Sequence, residues 1–305
     1  MKNNTVQYIN ENVERNTDSF ILECENRFDE AVKNAVDGFL CDSRRDIVLL
    51  AGPSSSGKTT TAKKIAEKIQ QLGKNAYTVS LDDFYKNRDE IPVGKDGMQD
   101  FECVEALDTE LIHSTFAALI NERYGELPSF DFNTGERLAE TRHIELKKDD
   151  VLVVEGLHAL NPVITDGLDE SHVYRIYISV STRVTGEDGK VLLNKRNLRL
   201  SRRIIRDAKH RNASAEDTLD RWHSVLRGED KYLFPFESNA DIKIDSFHPY
   251  EPCIFRDEVI RQLNTVEAES ENYEKAQELC GMYEMMSGVE ASLLPENSLL
   301  QEFLG

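Results

Sequence analysis

Long hydrophobic runs are missing from this 305-residue chain. The longest apolar stretches, at residues 47–51 and 151–154, have the length of a strand and fall far short of a membrane span. The N-terminal stretch MKNNTVQYINENVERN also lacks the apolar segment of a secretory signal. We therefore expect a soluble, cytoplasmic protein that does not act on a membrane.

Cysteine is scarce and has no pattern. The five cysteines are scattered, odd in number, and include no CxxC pair. Such spacing supports neither a disulfide framework nor a zinc site. Reduced thiols are the simplest interpretation, in agreement with a cytosolic protein.

Positive charge is in short supply, because 37 Lys and Arg stand against 56 Asp and Glu and give a net charge of −19. A chain of this charge repels polyanions, so we expect no nucleic-acid partner. The exception is the segment 195–211, where eight Lys and Arg accompany a single acid, Asp207. A compact basic patch on an acidic protein is typical of a site for a small anionic ligand.

Apolar runs of strand length alternate with amphipathic stretches, which predicts strands at residues 46–51, 76–81, 150–154, 173–180 and 240–245. Helices are predicted at residues 59–72, 108–124 and 193–210. This alternation predicts an α/β fold whose doubly wound parallel sheet is covered on both faces. Residues 1–45 are predicted to form a helical leader and residues 251–305 a helical C-terminal extension.

The strongest motif is GPSSSGKT at residues 52–59, which matches GxxxxGK[ST] between a predicted strand and a predicted helix. Its glycines let backbone N–H groups turn towards phosphate, Lys58 reaches the β- and γ-phosphates, and the Thr59 hydroxyl ligates Mg²⁺. The start of the helix adds the positive end of a dipole. We predict an ATP- and Mg²⁺-binding P-loop made by Gly52, Ser54, Ser55, Ser56, Gly57, Lys58, Thr59 and Thr60.

Two acids follow predicted strands, at the sheet edge where doubly wound folds bind ligands. Asp82 is the candidate base that accepts the proton of an attacking hydroxyl, and also a candidate metal ligand; Asp83 is the alternative base. Glu155 ends the run VLVVE and is a candidate Mg²⁺ ligand. The structural alternatives are a helix N-cap for the aspartates and a surface acid for Glu155.

Arg199, Arg202, Arg203 and Arg206 recur at i, i+3, i+4 and i+7, which places them on one face of a helix. Such a row can close over a polyphosphate, with Arg199 and Arg203 stabilising charge during transfer and Arg202 and Arg206 binding the nucleotide. A solvated basic helix is the alternative.

Four blocks together resemble the uridine kinase/phosphoribulokinase family: residues 52–60, DDFY at 82–85, VVEG at 153–156 and RLSRRIIRD at 199–207. The resemblance implies a P-loop kinase domain over residues 46–250, with a mobile lid at about 185–212 and a tendency to form homo-oligomers. Two stretches, RGEDKYLFPF at 227–236 and LPENSLLQEF at 294–303, resemble a bacterial subgroup of that family. Members of that subgroup are often fused to a threonyl-tRNA synthetase-like segment; here we expect only a short helical leader.

On the acceptor side, the resemblance implies that substrate is bound by Tyr85, Glu102, Asp131 and Arg137. The chain departs from the family pattern at three positions: Glu102 stands where uridine kinases have Asp, Phe130 where they have Tyr, and Gly135 where they have His. The last two changes remove polar groups that read the base, and hydrogen bonds are what discriminate bases.

The leading hypothesis is therefore ATP-dependent phosphoryl transfer to a hydroxyl of a nucleoside, as in uridine kinases. A kinase of another small hydroxyl substrate, such as a sugar phosphate or a pantothenate-like acid, stays open. So does a nucleotide-binding sensor or scaffold with vestigial activity. Residues 268–281 are a candidate contact for a homo-oligomer.

Overall fold

The computed structural model describes residues 4–94, 97, 99–132 and 134–305. Its strands are β1 (Ile47–Ala51), β2 (Ala76–Ser80), β3 (Tyr124–Leu127), β4 (Phe130–Asp131), β5 (Glu136–Arg137), β6 (Arg142–Glu145), β7 (Val151–Glu155), β8 (Val173–Ser179), β9 (Val184–Thr185), β10 (Val191–Leu193) and β11 (Ile242–Asp245). Its helices are α1 (Val6–Leu40), α2 (Lys58–Gln71), α3 (Thr109–Asn121), α4 (Pro162–Thr165), α5 (Lys195–His210), α6 (Ala215–Tyr232), α7 (Glu251–Leu263), α8 (Tyr273–Glu284) and α9 (Gln301–Leu304).

Five strands form the central sheet in the order β11-β8-β1-β7-β2, and every neighbouring pair is parallel. The chain adds β2 and β7 on one side of β1 and then β8 and β11 on the other. The order therefore reverses beside β1, which is the position where such sheets bind ligands. The predicted doubly wound parallel sheet is confirmed.

Both faces of the sheet are buried, as the apolar strands predicted. Because successive side chains point to opposite faces, Val48 and Leu50 of β1 belong to one core and Ile47 and Leu49 to a second. The first core lies beneath α1, α2 and α5–α9, and the second beneath α3. Among the described residues, three small antiparallel pairs, β3–β6, β4–β5 and β9–β10, lie outside this sheet.

The helical termini are part of the main core. In α1, Phe20, Phe28 and Phe39 are buried in the same cluster as the sheet, together with residues of α7 and α8. The helix breaks at Asn16, whose Oδ1 accepts a hydrogen bond from the Ser19 N–H. Residues 1–3 of the predicted leader lie outside the described residues. Over the described ranges, no helix is long and apolar enough to cross a membrane.

Candidate active site

The phosphate loop joins β1 to α2 at the carboxyl edge of the sheet. Positive φ angles at Ser55 (57°) and Gly57 (87°) turn the backbone around the loop. Lys58 Nζ donates to the Pro53 carbonyl oxygen at 3.2 Å. The buried hydroxyls of Ser55 and Ser56 have no hydrogen-bond partner among the described residues, so the loop fits a phosphate, which would accept from them.

Thr59 and Glu155, two of the predicted metal ligands, contact each other. Thr59 Oγ1 lies 3.1 Å from Glu155 Oε1, and Ser80 Oγ donates to the same oxygen at 2.8 Å. Burial, and then the charge of Asp82, raise the pKa of Glu155 to about 7. A buried carboxylate beside a hydroxyl fits a cation, which would offset this cost of charge.

No group of three His, Cys, Asp or Glu side chains suited to a metal ion occurs in the described part of the chain. Mg²⁺ is usually held by one or two carboxylates together with water and substrate phosphates.

Asp82 lies just beyond β2, in a short 3₁₀ turn, where its N–H donates to the Ser80 hydroxyl oxygen at 3.3 Å. Ser80 in turn donates to Glu155 at 2.8 Å, and the charge of Asp82 adds to burial in raising the pKa of Glu155 and, to a lesser extent, that of Glu102. Asp83 is used differently: it accepts from the Phe130 N–H at 3.4 Å, and burial raises its pKa. Of the two candidate bases, Asp82 is the one that lies next to the metal ligands.

Two of the four arginines of the α5 row, Arg199 and Arg202, face inward and pair with buried carboxylates. Arg202 is fully buried, and its five N–H groups go to Glu251 (2.7 Å at both oxygens), Ser246 (2.8 and 3.2 Å) and the Ser55 carbonyl (3.2 Å). No donor is left for a phosphate. The predicted nucleotide contact of Arg202 is therefore wrong, and the residue instead holds the phosphate loop from behind.

Arg199 also pairs with a buried carboxylate and contacts the phosphate loop. Its guanidinium forms a two-point ion pair with buried Glu229 at 2.5 and 2.7 Å and donates to the Ser54 carbonyl at 3.0 Å. Glu229 in turn accepts from the Ser54 N–H at 2.9 Å. The predicted catalytic role of Arg199 does not match this placement, because the pair neutralises its charge behind the loop.

Arg203 contacts the phosphate loop, and Arg206 pairs beside it with Asp207. Arg203 Nη1 donates to the Ser54 hydroxyl at 2.7 Å, and both arginines pair with Asp207. Arg211 approaches the same carboxylate at 3.7 Å, and burial, followed by its arginine neighbour Arg206, lowers its pKa to about 10. Three guanidiniums around one carboxylate leave an excess of positive charge beside the phosphate loop, as an anion site requires.

An aromatic box lies on the acceptor side. The Tyr85 ring lies 6.2 Å from Phe101, 5.6 Å from Phe130 and 6.1 Å from Phe132, measured between centroids. Tyr85 donates its hydroxyl hydrogen to the Phe101 carbonyl at 2.9 Å. Arg211 lies 5.0 Å over the Phe132 ring and joins the box to the arginine cluster. A box of this kind can hold a flat ring by stacking.

Glu102 lies between the box and the phosphate loop. Burial raises its pKa to about 7, against the opposing charge of Arg203. His158 Nε2 lies 3.1 Å from the Glu102 carbonyl oxygen and fixes this backbone. Gly228 of α6 allows the approach, because a Cβ there would lie 2.2 Å from the Glu102 Cβ.

The remaining two substrate candidates differ in their placement. Asp131 lies in the β4–β5 pair next to Phe130. Arg137 donates to Asp108 at 3.3 Å and to the Tyr85 carbonyl at 3.1 Å. The Arg137 guanidinium holds the turn that carries Tyr85, and a contact with the acceptor stays a prediction. At Gly135, a Cβ would lie 2.8 Å from Arg88 Nε, so the Arg88 side chain covers that position.

Four residues of the candidate site were not singled out from the sequence: Gly228, Glu229, His158 and Glu302. Gly228 and Glu229 lie in the stretch 227–236, and Glu302 lies in the stretch 294–303. Both stretches were recognisable as motifs without a known role. His158 follows the VVEG block by two residues and is part of no motif that was recognisable from the sequence.

Known proteins match this chain over the same region. A model of the Phosphoribulokinase / Uridine kinase family matches residues 47–250. A uridine kinase of Macrococcus caseolyticus is 29% identical over 204 residues, which cover 66% of this chain and 88% of the relative. A uridine kinase of Bacillus pumilus is 29% identical over 203 residues, covering 66% and 87%. The solved structure of a phosphoribulokinase from Rhodobacter spheroides is 19% identical, covers 68% of this chain and 75% of its own, and has a TM-score of 0.45.

Proposed function

This chain belongs to the phosphoribulokinase/uridine kinase family, and from that premise we propose that it transfers the γ-phosphoryl group of ATP to a hydroxyl of a nucleoside. The observation that carries the proposal is the position of Asp82 between two half-sites. On one side lie the phosphate loop and the Thr59–Glu155 pair, 3.1 Å apart. On the other lie Glu102 and the aromatic box.

On the nucleotide side, the loop N–H groups, Lys58 and the hydroxyl of Thr60 bind the phosphates. Thr59 and Glu155 would hold Mg²⁺, which would neutralise charge on the β- and γ-phosphates. Arg203 adds positive charge next to Ser54, and Arg206 adds to it through the cluster around Asp207. In this family of reactions most of the catalytic effect comes from positioning and electrostatic stabilisation.

On the acceptor side, the box around Tyr85 stacks the base, and Glu102 and Asp131 accept hydrogen bonds from sugar hydroxyls. Asp82 then accepts the proton of the attacking hydroxyl as the oxygen bonds to phosphorus. ADP is the leaving group.

An acceptor other than a pyrimidine nucleoside is the second candidate, and one observation favours it. The box contains Phe130, which carries no hydroxyl, and the Arg88 side chain covers Gly135. A guanidinium offers several N–H donors and no acceptor. It therefore favours a ring or acid rich in acceptor oxygens or nitrogens.

The test is ADP production with ATP and Mg²⁺ against uridine, cytidine, adenosine, guanosine, ribose and pantothenate, each compared with a no-acceptor control and with Lys58→Ala. We expect a nucleoside to raise ADP production well above the control in the wild type and in none of the Lys58→Ala reactions. Stimulation by ribose or pantothenate alone would replace the nucleoside with another hydroxyl substrate. No stimulation by any acceptor would favour a nucleotide sensor.

A further inference from the structure

The stretch 294–303 reaches the phosphate loop through α9. The carboxylate of Glu302 accepts hydrogen bonds from the Thr60 N–H at 3.2 Å and from the Thr60 hydroxyl at 2.7 Å. Thr60 is the third residue of α2, so its N–H is one of the first four of that helix, which have no partner within the helix. These are the N–H groups that a P-loop offers to phosphate.

Leu299, in the same segment, packs against the phosphate loop. A Cβ on Gly57 would lie 2.5 Å from Leu299 Cδ1. Gly57 also has a φ of 87°, which side chains rarely adopt, so both conformation and packing require glycine there. The segment therefore touches the loop that binds phosphate as well as the helix that follows it.

The segment is anchored on both sides of Glu302. Ser298 Oγ donates to Glu25 of α1 at 2.6 Å, and Leu300 and Phe303 are fully buried. The Arg202 guanidinium lies 5.2 Å over the Phe303 ring. The backbone of α9 is thus fixed, whereas the Glu302 side chain is only half-buried and can turn about its own bonds.

We propose that Glu302 is an internal competitor of the nucleotide phosphate. A nucleoside di- or triphosphate in the loop requires the same two donors of Thr60, and its negative charge repels the carboxylate. Binding therefore displaces the Glu302 side chain and breaks two charge-assisted hydrogen bonds, which lowers nucleotide affinity. The inference rests on the proposed function, because it requires a nucleotide at the P-loop.

Binding of ADP and of adenosine to the full chain separates this role from a simple helix cap. The variants are Glu302→Ala, Glu302→Gln and, as a matched control on the same segment, exposed Glu296→Gln. Since hydrogen bonds to charged groups are the stronger kind, we expect Glu302→Ala to bind ADP at least about tenfold more tightly than the wild type. Glu302→Gln should shift in the same direction, adenosine affinity should stay constant, and Glu296→Gln should match the wild type.

Other outcomes overturn the proposal in distinguishable ways. Equal or weaker ADP binding by both Glu302 variants would reduce Glu302 to a cap of α2 and leave the proposed function intact. Equal gains for ADP and adenosine would point to general loosening of the site. No ADP binding by the wild type or any variant would refute the proposed function and this inference with it. Thermal melting of each variant without ligand shows whether it folds. If Glu302→Ala does not fold, Glu302→Gln, which keeps the shape of the side chain, carries the test.

Discussion

At the scale of single residues, Asp82 and Asp83 are neighbours with different tasks. Asp83 is engaged with the Phe130 N–H at 3.4 Å, whereas Asp82 lies next to Glu155 and Glu102. Asp82→Asn should lower the rate of transfer by at least about 100-fold, because an amide cannot accept the hydroxyl proton. Binding of ATP should be largely retained, as measured by calorimetry.

Asp83→Asn is the matched control for that variant. It removes the same charge one residue away, and we expect it to keep transfer within about tenfold of the wild type, since its carboxylate only accepts a backbone hydrogen bond. Transfer that survives in Asp82→Asn and disappears in Asp83→Asn would reverse the assignment of the base.

The raised pKa of Glu155 makes Mg²⁺ binding dependent on pH. In the folded, metal-free chain its pKa is about 7 instead of 4.5, so folding favours the protonated form. The stability that this proton contributes is complete below pH 4.5 and is lost as the pH rises through about 7. Mg²⁺ needs the carboxylate, so its affinity should rise with pH up to about 7 and then level off.

The measurement is the Mg²⁺ concentration that half-stabilises the protein against heat, taken at pH 6, 7 and 8. Glu155→Gln should bind Mg²⁺ more weakly and lose this pH dependence. Glu102 titrates in the same range, so Glu102→Gln is the control and should keep it. A pH dependence that survives in Glu155→Gln would assign the titration to another group.

At the scale of elements, α6 positions both the phosphate loop and the acceptor side through two adjacent residues. Glu229 holds the Ser54 N–H at 2.9 Å, and Gly228 leaves space for Glu102. Gly228→Ala should destabilise the protein and weaken acceptor binding, because the new Cβ would lie 2.2 Å from the Glu102 Cβ. The measurements are the urea midpoint and the KM of the acceptor.

Gly281→Ala in α8 provides the comparison, since no atom lies within 4 Å of its Cβ position. In that open helical site, alanine should stabilise the protein by about 0.5–1 kcal/mol. Similar effects of the two substitutions would show that α6 can move away from Glu102 at little cost.

The arginine row of α5 shows what sequence could predict at this scale and what it could not. The spacing correctly predicted that the four arginines share one face of the helix. It could not show which way that face points, because the partners of Arg199 and Arg202 are Glu229 and Glu251, in later helices. A row of arginines in an acidic chain predicts an exposed helix face. Only the structure shows the buried carboxylates with which these arginines pair.

The sheet and the phosphate loop were predictable for the opposite reason. Their signals are local: an apolar run forms β1, the loop motif follows at once, and α2 starts where the motif ends. The small pairs β3–β6 and β4–β5 were not predicted, since their strands are only four and two residues long and carry little periodicity. Glu302 and Thr60 are in contact although they are 242 residues apart in the sequence, so no local sequence pattern could predict this contact.

At the scale of the whole molecule, we expect the region that resembles a kinase domain to depend on the terminal helices for its stability. Residues 46–250 would lose α1, with buried Phe20, Phe28 and Phe39, and also Glu251, which pairs with Arg202. Each buried aromatic contributes about 1.5–3 kcal/mol, and an unpaired buried charge costs about 3–5 kcal/mol. Such losses are comparable to the whole stability of a domain, about 5–15 kcal/mol.

We therefore expect a fragment of residues 46–250 to lack a cooperative thermal transition and to bind no ATP, in contrast to the full chain. Circular dichroism melting and calorimetry measure the two properties. A fragment that melts cooperatively and binds ATP like the full chain would show that the terminal helices are dispensable.

The carboxylates that hold the phosphate loop impose an order of events during synthesis. Glu229, which accepts from the Ser54 N–H, and Glu251, which holds the loop through Arg202, both leave the ribosome long after the loop at residues 52–59. A nascent chain that has emerged as far as residue 200 contains the whole motif and neither of these two acids. Because contacts so distant along the chain form slowly, the newborn protein should pass through a stage in which it has its nucleotide motif but cannot yet consume ATP.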